Sequence, residues 1–334
     1  MAESFSDIGR IEAIDQLYRL SAFNPVNGLA YTSEKGGRVI TASRMFLEGI
    51  DFNLVYFPLK HLGYKCVVGT VGELYAALAH PKLLNVVLGI SAKLDFPQIK
   101  ELWLGITVAA KEHGFEAVNL DLQPSNNGLF LSLSATGEIS LLTQKRRMAA
   151  KSKDLICVSG SLGAAYLGLQ VMERGAKMFH ETGEQPDMAQ YKMLVGAYLR
   201  PELDASVVER LEDVEIYPSY GYFVTRGLSD ALKRLSRDSG LGAKVYADKI
   251  PFEGNSFQLG KEMDMDPVSA AMNGGDDNRL LFVVPILHLE KFRREFQTFD
   301  IIGHLAQPDA GTVLVTPEGV EFPVKAQGWT ENDA

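Results

Sequence analysis

Residues 155–175, "LICVSGSLGAAYLGLQVMERG", give the first indication of how this chain folds. The stretch begins with the apolar run "LICV", continues with small residues, and then spaces its apolar residues three or four apart. These patterns predict a buried strand, a tight loop and a helix, in that order. The N-terminus of the helix can bind phosphate through its backbone N–H groups, and close packing of helix on strand explains the same glycines equally well.

A second stretch, "MNGGDDNRLLFVVP" at residues 272–285, sets two glycines and two aspartates directly before an apolar run. Glycine supplies positive φ angles and aspartate tolerates them, so local chemistry favours a polar turn that leads into a buried strand. A metal or phosphate site at the mouth of that strand is the alternative interpretation.

The rest of the chain mixes strands and helices without strict alternation. Strands are predicted in "RVITAS", "KLLNVVLGIS", "FEAVNLDL" and "GLFLSLSATGEI", the last two joined by the turn "QPSNN", with helices between the others. The basic segment "SLLTQKRRMAAKSKD", residues 140–154, interrupts this pattern and marks a domain boundary. We therefore predict an α+β protein of two domains, residues 1–145 and 146–334.

Composition limits the classes of partner. The chain of 334 residues carries a formal net charge of -9, which speaks against binding to nucleic acid or an anionic membrane. The N-terminal segment contains no signal-peptide core, and no apolar run is long enough to span a bilayer. Cys66 and Cys157 stand far apart among apolar neighbours, which predicts buried free thiols in a reducing compartment. These features favour a cytoplasmic protein.

Six short motifs occur in an order that resembles the thiamine-monophosphate kinase family, within the aminoimidazole ribonucleotide synthetase superfamily. They are "FLEGIDF", "DLICVSGSLGAAYLGL", "YLRP", "GGDDNRLLF", "IIGH" and the closing "GW". No single motif is specific, so the resemblance depends on their shared order, which extends almost to the end of the chain at Trp329.

The resemblance implies both a fold and a chemistry. It implies an N-terminal α/β half-barrel domain that pairs with a second copy in a homodimer, and a C-terminal α+β domain beside it. ATP and thiamine phosphate would meet in the cleft between the domains, across several magnesium ions. Phosphoryl transfer between two anions requires such neutralisation of charge, and magnesium prefers carboxylate and hydroxyl oxygens.

The resemblance also assigns residues to the metal and nucleotide side of that cleft. Ser43, Glu73 and Asp121 match magnesium ligands of the family, although Glu73 stands in place of an aspartate. Asp121 also lies on the nucleotide side, together with Arg147 and Thr225, which match residues that contact ATP.

Three further positions belong to the substrate side by the same resemblance. Asp51 stands in place of a histidine that contacts the substrate, and Asp276 in place of a glutamate that binds it. Trp329 matches the aromatic residue that stacks on the substrate.

Other positions depart from the family pattern. Arg44 and Arg226 each replace a metal-site aspartate, Phe223 and Ala164 replace two further aspartates, and "NPVNGLAYTSEKGG" lacks the family's G-D-D-A-A motif. A guanidinium stays protonated and cannot ligate magnesium. The two arginines are therefore candidates for direct binding of a phosphate or carboxylate, or for salt bridges to the remaining site carboxylates.

These observations support two main hypotheses. In the first, the chain is an ATP- and magnesium-dependent phosphotransferase that acts on thiamine phosphate or a related phosphorylated metabolite. In the second, it is a catalytically degenerate relative that binds an anionic ligand or partner through Arg44 and Arg226 without magnesium. A superfamily enzyme with different chemistry is a third. The sequence identifies no catalytic residue.

Overall fold

The structure, a computed structural model, describes residues 10–23, 33, 36–184 and 186–326. Its described residues form two compact units, one within residues 1–144 together with 202–208, the other within 145–201 together with 209–334. Both units combine a sheet with helices, which confirms the α+β class. The predicted domain ranges, 1–145 and 146–334, stay a prediction, since residues 202–208 group with the first unit.

The first unit is built on a four-stranded sheet. Its strands are β1 (Arg38–Leu47), β2 (His80–Ser91), β3 (Ala117–Ser125) and β4 (Phe130–Ile139). Their order across the sheet is β1-β4-β2-β3, in which β2 and β3 are parallel and the other pairs antiparallel. The helices are α1 (Arg10–Arg19), α2 (Leu59–Ala76), α3 (Phe96–Glu112) and the short α4 (Leu141–Arg146).

The two faces of this sheet differ in chemistry, because side chains alternate between them along each strand. The inner face carries buried apolar residues, among them Leu84, Val86, Leu120 and Leu133. The outer face carries small and polar side chains that are half-buried or exposed.

A tight contact between α2 and α3 holds the helical layer together. Gly63 of α2 faces the carbonyl oxygen of Leu102, and Gly105 of α3 faces the carbonyl oxygen of Lys60, so neither position has space for a Cβ atom. Helix α3 begins at a capping box, in which Asp95 and Gln98 exchange hydrogen bonds. Two glycines in this arrangement allow the helix backbones to approach each other closely.

The predicted turn "QPSNN" is wrong in part. Strand β3 continues through Pro124 to Ser125, where it pairs with Ser91 of β2, and only the following residues turn. Proline is tolerated because β3 is an edge strand, with one neighbour among the described strands. The chain then passes over β2, so that β4 pairs with β2 and β1 rather than with β3.

The second unit contains a seven-stranded sheet. Its strands are β5 (Leu155–Ser159), β6 (Tyr220–Val224), β7 (Gly242–Tyr246), β8 (Arg279–Val284), β9 (Phe299–Ala306), β10 (Thr312–Val315) and β11 (Glu321–Pro323). The order is β11-β10-β7-β9-β5-β8-β6, and β10 with β7 is the parallel pair. The helices from residue 145 onward are α5 (Ala164–Thr182), α6 (Lys192–Leu199), α7 (Val207–Asp213), α8 (Leu228–Ser239), α9 (Ser256–Met263), α10 (Pro267–Asn273) and α11 (Leu289–Glu295).

The predicted succession of strand, loop and helix at residues 155–175 is confirmed as β5 and α5. Strand β7 ends at Tyr246, and residues 247–249 form a 3-10 turn. The basic segment predicted as a boundary contains α4. Cys66 and Cys157 are buried free thiols, as predicted. Within the part of the chain that the structure describes, no helix is long and apolar enough to cross a membrane.

Candidate functional site

Strand alternation separates two neighbouring residues of the predicted site. Ser43 points to the exposed outer face of β1, whereas Arg44 points to the inner face, where it aligns with Leu133 of β4. The two side chains therefore lie on opposite faces of the sheet, and a ligand bound to one face cannot contact both of them equally.

A polar row crosses the outer face at the level of Ser43. The Ser43 hydroxyl bonds to the hydroxyl of Ser134 at 2.8 Å, and the amide of Asn119 donates to Asn85 at 2.6 Å. The strand register aligns Ser134 with Asn85, so these four residues span all four strands. The Ser43 hydroxyl therefore takes part in a hydrogen bond between neighbouring strands, a role that the sequence did not indicate.

Asp121 lies on the same outer face, at the opposite edge of the sheet. Its carboxylate accepts hydrogen bonds from the backbone N–H of Leu122 and from the side chain of Gln123, both at 2.9 Å. Three strand spacings separate β3 from β1, which corresponds to about 14 Å. Ser43 and Asp121 of one copy of the chain are therefore too far apart to ligate one ion.

Arg44 lies beside the apolar inner face rather than in open solvent. Its guanidinium stacks on the ring of Phe46, with the Cζ atom 4.8 Å from the ring centroid, and it approaches Gly69 of α2. Glu73 is four residues further along α2, on the same side of the helix as Gly69. The structure thus brings Arg44 to the helix face that carries Glu73.

The three predicted metal ligands do not fit a magnesium cluster in one copy of the chain. Ser43 and Asp121 occupy opposite edges of the outer face, and Glu73 belongs to a helix on the inner face. In the described residues, no group of three or more histidine, cysteine, aspartate or glutamate side chains is arranged to hold a metal ion. Within one copy of the chain, these three residues therefore do not form the magnesium site that the resemblance implies.

Asp51, the predicted substrate contact, is used in the turn after β1. Its carboxylate accepts the backbone N–H of Leu47 at 2.8 Å, and its own N–H donates to the Leu47 carbonyl oxygen. These bonds fix the turn that follows β1. Asp51 thus has a structural role in that turn.

The aspartates of "GGDD" in residues 274–277 have different environments. Asp277 is only 3% exposed, and its carboxylate accepts the N–H groups of Gly163 and Ala165 at 2.9 and 3.3 Å. These amides belong to the N-terminus of α5, so the loop "GSLGAA" is capped by the protein itself. Burial raises the pKa of Asp277 to about 7, although the two N–H groups and Arg279 oppose this shift.

Asp276, by contrast, lies beside the loop that follows β6. Its backbone has a φ of 64°, and its N–H donates to the carbonyl oxygen of Thr225 at 2.8 Å. Gly275 approaches the backbone of Arg226, whose side chain is exposed. The structure therefore brings Thr225, Arg226 and Asp276 together in one loop pair of the second unit.

The remaining predicted residues fall in different places. The Arg147 side chain donates through Nε to the carbonyl oxygen of Ser219 at 3.0 Å. Phe223 is fully buried in β6, and Ala164 is the first residue of α5. Trp329 lies outside the described residues, as does most of "NPVNGLAYTSEKGG".

The structure reveals two features that the sequence interpretation missed. The cap of α5 by Asp277 joins residues more than a hundred positions apart, so no local pattern could indicate it. The polar row left a partial signal, because "LSLSATGE" in residues 131–138 alternates apolar and polar residues.

Residues 27–139, which include the whole four-stranded sheet, match the N-terminal domain of AIR synthase related proteins. This region of the chain is therefore similar to the AIR synthase-related family. The matched region contains Ser43, Arg44 and Asp121, whereas Arg226 lies outside it, in the second unit.

Individual proteins are similar to this chain along nearly its whole length. It is 22% identical to the thiamine-monophosphate kinase of Bacillus subtilis over 303 residues, which cover 90% of each chain. The solved complex of AaThiL with AMPPCP and TMP superimposes with a TM-score of 0.72 at 19% identity, covering 98% of each chain. Escherichia coli HypE superimposes with a TM-score of 0.72 at 15% identity, covering 95% of this chain and 97% of that one.

Proposed function

We propose that this protein binds a phosphorylated small molecule, of the chemical class of ATP or thiamine phosphate, through arginine side chains and without a magnesium cluster. The proposal keeps the ligand class of the kinases that the chain is similar to. It replaces the magnesium-dependent phosphoryl transfer that the family resemblance implies with direct recognition of the phosphate. The position of Arg44 is the observation that carries it.

Arg44 supports this proposal through its charge and its surroundings. Its guanidinium lies over Phe46 and against Gly69, on the helix face that also carries Glu73. A permanent positive charge at this place repels a divalent cation and attracts a phosphate. A guanidinium can form two parallel hydrogen bonds to phosphate oxygens, which gives both affinity and orientation.

The loop pair around Arg226 supplies the second element of the proposal. Arg226 is exposed, and Thr225 beside it holds the backbone of Asp276. The hydroxyl of Thr225 and the guanidinium of Arg226 are both suited to phosphate oxygens. Arg226, like Arg44, stands at a position where the family that the chain resembles has an aspartate.

The first test is thermal stability of the purified protein with ATP, thiamine phosphate or inorganic phosphate, each with and without magnesium. We expect one of these anions to raise the melting temperature to the same extent with and without the metal. A ligand at a hundred times its dissociation constant stabilises by about 2.7 kcal/mol. Arg44→Ala and Arg226→Ala should each weaken binding roughly tenfold or more, because each removes a charged hydrogen bond.

Arg38→Ala is the matched control, because Arg38 is an exposed arginine of the same strand as Arg44. It should leave the ligand-induced shift unchanged. Stabilisation by ATP only in the presence of magnesium would refute the proposal and restore the metal-dependent alternative.

The alternative function is ATP-dependent phosphorylation of thiamine phosphate. It is favoured by the similarity to the Bacillus subtilis kinase along nine-tenths of both chains. Its metal ligands would have to include residues beyond Ser43, Glu73 and Asp121 of a single chain, because these three are widely separated. Formation of thiamine diphosphate from thiamine phosphate and ATP distinguishes this function from binding alone.

The outer face of the four-stranded sheet supports a homodimer. This face exposes Val39 and Met45, which are 48% and 56% accessible, beside the polar row of Ser43. A second copy that covers this face would bury both side chains and the row between them. We expect sedimentation equilibrium to give a dimer mass, and Met45→Arg to shift it towards the monomer. Val108→Arg, on the exposed side of α3, is the control; a monomeric parent protein would contradict this proposal.

A further inference from the structure

A pocket of about 460 Å³ lies on the second unit, and none of the residues that line it belongs to the site implied by the family resemblance. It is bordered by α11, by the 3-10 turn at residues 247–249, by the start of β5 and by β9. Three cationic side chains surround it, from Lys153, Lys249 and Arg293.

The positive charge at this pocket contrasts with the negative net charge of the chain. The chain has 42 acidic and 33 basic residues, a formal net charge of -9. Within the described residues, neither Lys153 nor Lys249 has a carboxylate within 4.0 Å. Arg293 reaches Glu290 only at 3.9 Å, and that glutamate side chain is 86% exposed. Such an exposed pair contributes little to stability, so Arg293 can exchange Glu290 for an anionic ligand.

A buried carboxylate, that of Asp154, holds the backbone at the rim of the pocket by hydrogen bonds. Lys153 has a φ of 76°, a left-handed conformation that is uncommon for a residue other than glycine. Asp154, 3% exposed, accepts the N–H of Lys151 at 2.8 Å and the N–H of Ile286 at 3.1 Å. One aspartate therefore fixes both the turn that contains Lys153 and the start of the segment that contains Ile286, two residues that line the pocket.

The rest of the lining is apolar and aromatic. Leu155, Leu289 and Ile301 supply aliphatic surface. The rings of Tyr246 and His304 are 5.9 Å apart and inclined by 32°. An apolar surface next to uncompensated cations suits a ligand with an anionic end and a flat apolar body.

Positive charge surrounds the aromatic pair of Tyr246 and His304. The Lys249 ammonium lies 4.9 Å from the ring centroid of Tyr246. Burial lowers the pKa of His304, and the positive charges of Lys244 and Lys249 lower it further. His304 is therefore a neutral side chain near neutral pH, able to donate or accept one hydrogen bond at the pocket wall.

We propose that this pocket binds a small organic phosphate monoester, with the phosphate between Lys153, Lys249 and Arg293 and the organic group against the aromatic pair. Three cations match the double negative charge of a phosphate monoester better than the single charge of a carboxylate. The site is independent of the proposed function, because none of its lining residues belongs to β1, which carries Arg44, or to the loop of Arg226.

The test uses phenyl phosphate as the probe and inorganic phosphate and benzoate as comparison ligands. Binding is measured by titration calorimetry and by the proton resonances of His304. Phenyl phosphate should bind saturably, about tenfold more tightly than either comparison. Its binding should raise the pKa of His304, because a nearby anion stabilises the imidazolium. The double variant Lys153→Ala/Lys249→Ala should weaken binding at least tenfold, or roughly 1.4 kcal/mol.

Lys261→Ala is the matched control, since Lys261 is an exposed lysine of α9 and does not line the pocket. Arg226→Ala is the second control: retained binding of phenyl phosphate in this variant separates the pocket from the site proposed above. An absence of saturable binding would overturn the inference, as would equal affinity in the double variant. Equal affinity for phenyl phosphate and inorganic phosphate would overturn the role of the apolar wall.

Discussion

Replacing Gly105 by alanine should destabilise the first unit by about 2–4 kcal/mol, the range of severe overpacking in a close contact. A Cβ atom at this position would overlap the carbonyl oxygen of Lys60 and lie 3.0 Å from the backbone nitrogen of Tyr64. Both obstacles are backbone atoms of α2, so no side chain can rotate away, and the two helices would have to separate. Chemical denaturation followed by far-UV circular dichroism measures the loss.

Gly196→Ala is the control, because it makes the same glycine-to-alanine substitution at a helix position without a close backbone contact. Gly196 lies within α6, and no atom stands within 4 Å of the position that a Cβ would occupy. Alanine has the higher helix propensity, so this variant should be neutral or more stable by up to about 1 kcal/mol. Equal effects of the two substitutions would show that the close approach of α2 and α3 is not the reason for Gly105.

Asp277→Ala should lower the free energy of unfolding by roughly 2–4 kcal/mol. The substitution removes the acceptor of two N–H groups at the start of α5, those of Gly163 and Ala165. Asp277 is 3% exposed, so water cannot easily replace it. Thermal and urea unfolding at one fixed pH give the loss. Asp248→Ala, the removal of an exposed aspartate, is the control and should change stability by less than about 0.5 kcal/mol.

The pH dependence of Asp277 gives a second measurement on the same residue. Its folded-state pKa of about 7 lies above the ordinary value of 3.8, because burial disfavours the charged form. The stabilisation linked to its proton is therefore fully present below about pH 4 and is lost as the pH rises through about 7. Asp277→Asn cannot ionise, so its stability should fall less between pH 5 and pH 8. A parallel decline in both proteins would contradict the shifted pKa.

Local patterns predicted most elements of the fold. The apolar spacing in "LICVSGSLGAAYLGLQVMERG" predicted β5 and α5, and the capping pair Asp95 and Gln98 stands at the start of a helix that periodicity also indicated. Element ends were less predictable. Pro124 continues β3 because that strand lies at the edge of the sheet formed by the described strands, and strand order is not a local property of the sequence.

The candidate site was predictable only in its residue types. The sequence identified Arg44, Arg226, Glu73 and Asp121 as unusual or charged positions of a family motif. It did not determine which of these side chains share a face, since that depends on strand order and on helix position. The distance of Asp121 from Ser43 follows from two strands inserted between β1 and β3.

Residue types and local spacing predicted the mixed helix and strand content and the buried thiols, and the motif comparison identified two family aspartates replaced by arginines. These properties depend on residue type and on spacing within about twenty positions, where periodicity and turn chemistry act. The tertiary structure alone decided that Asp277 caps α5, that Arg44 faces α2, and that Lys153 and Lys249 meet at one pocket. Each of these joins residues far apart in sequence, and only the packing of sheets and helices brings such residues together.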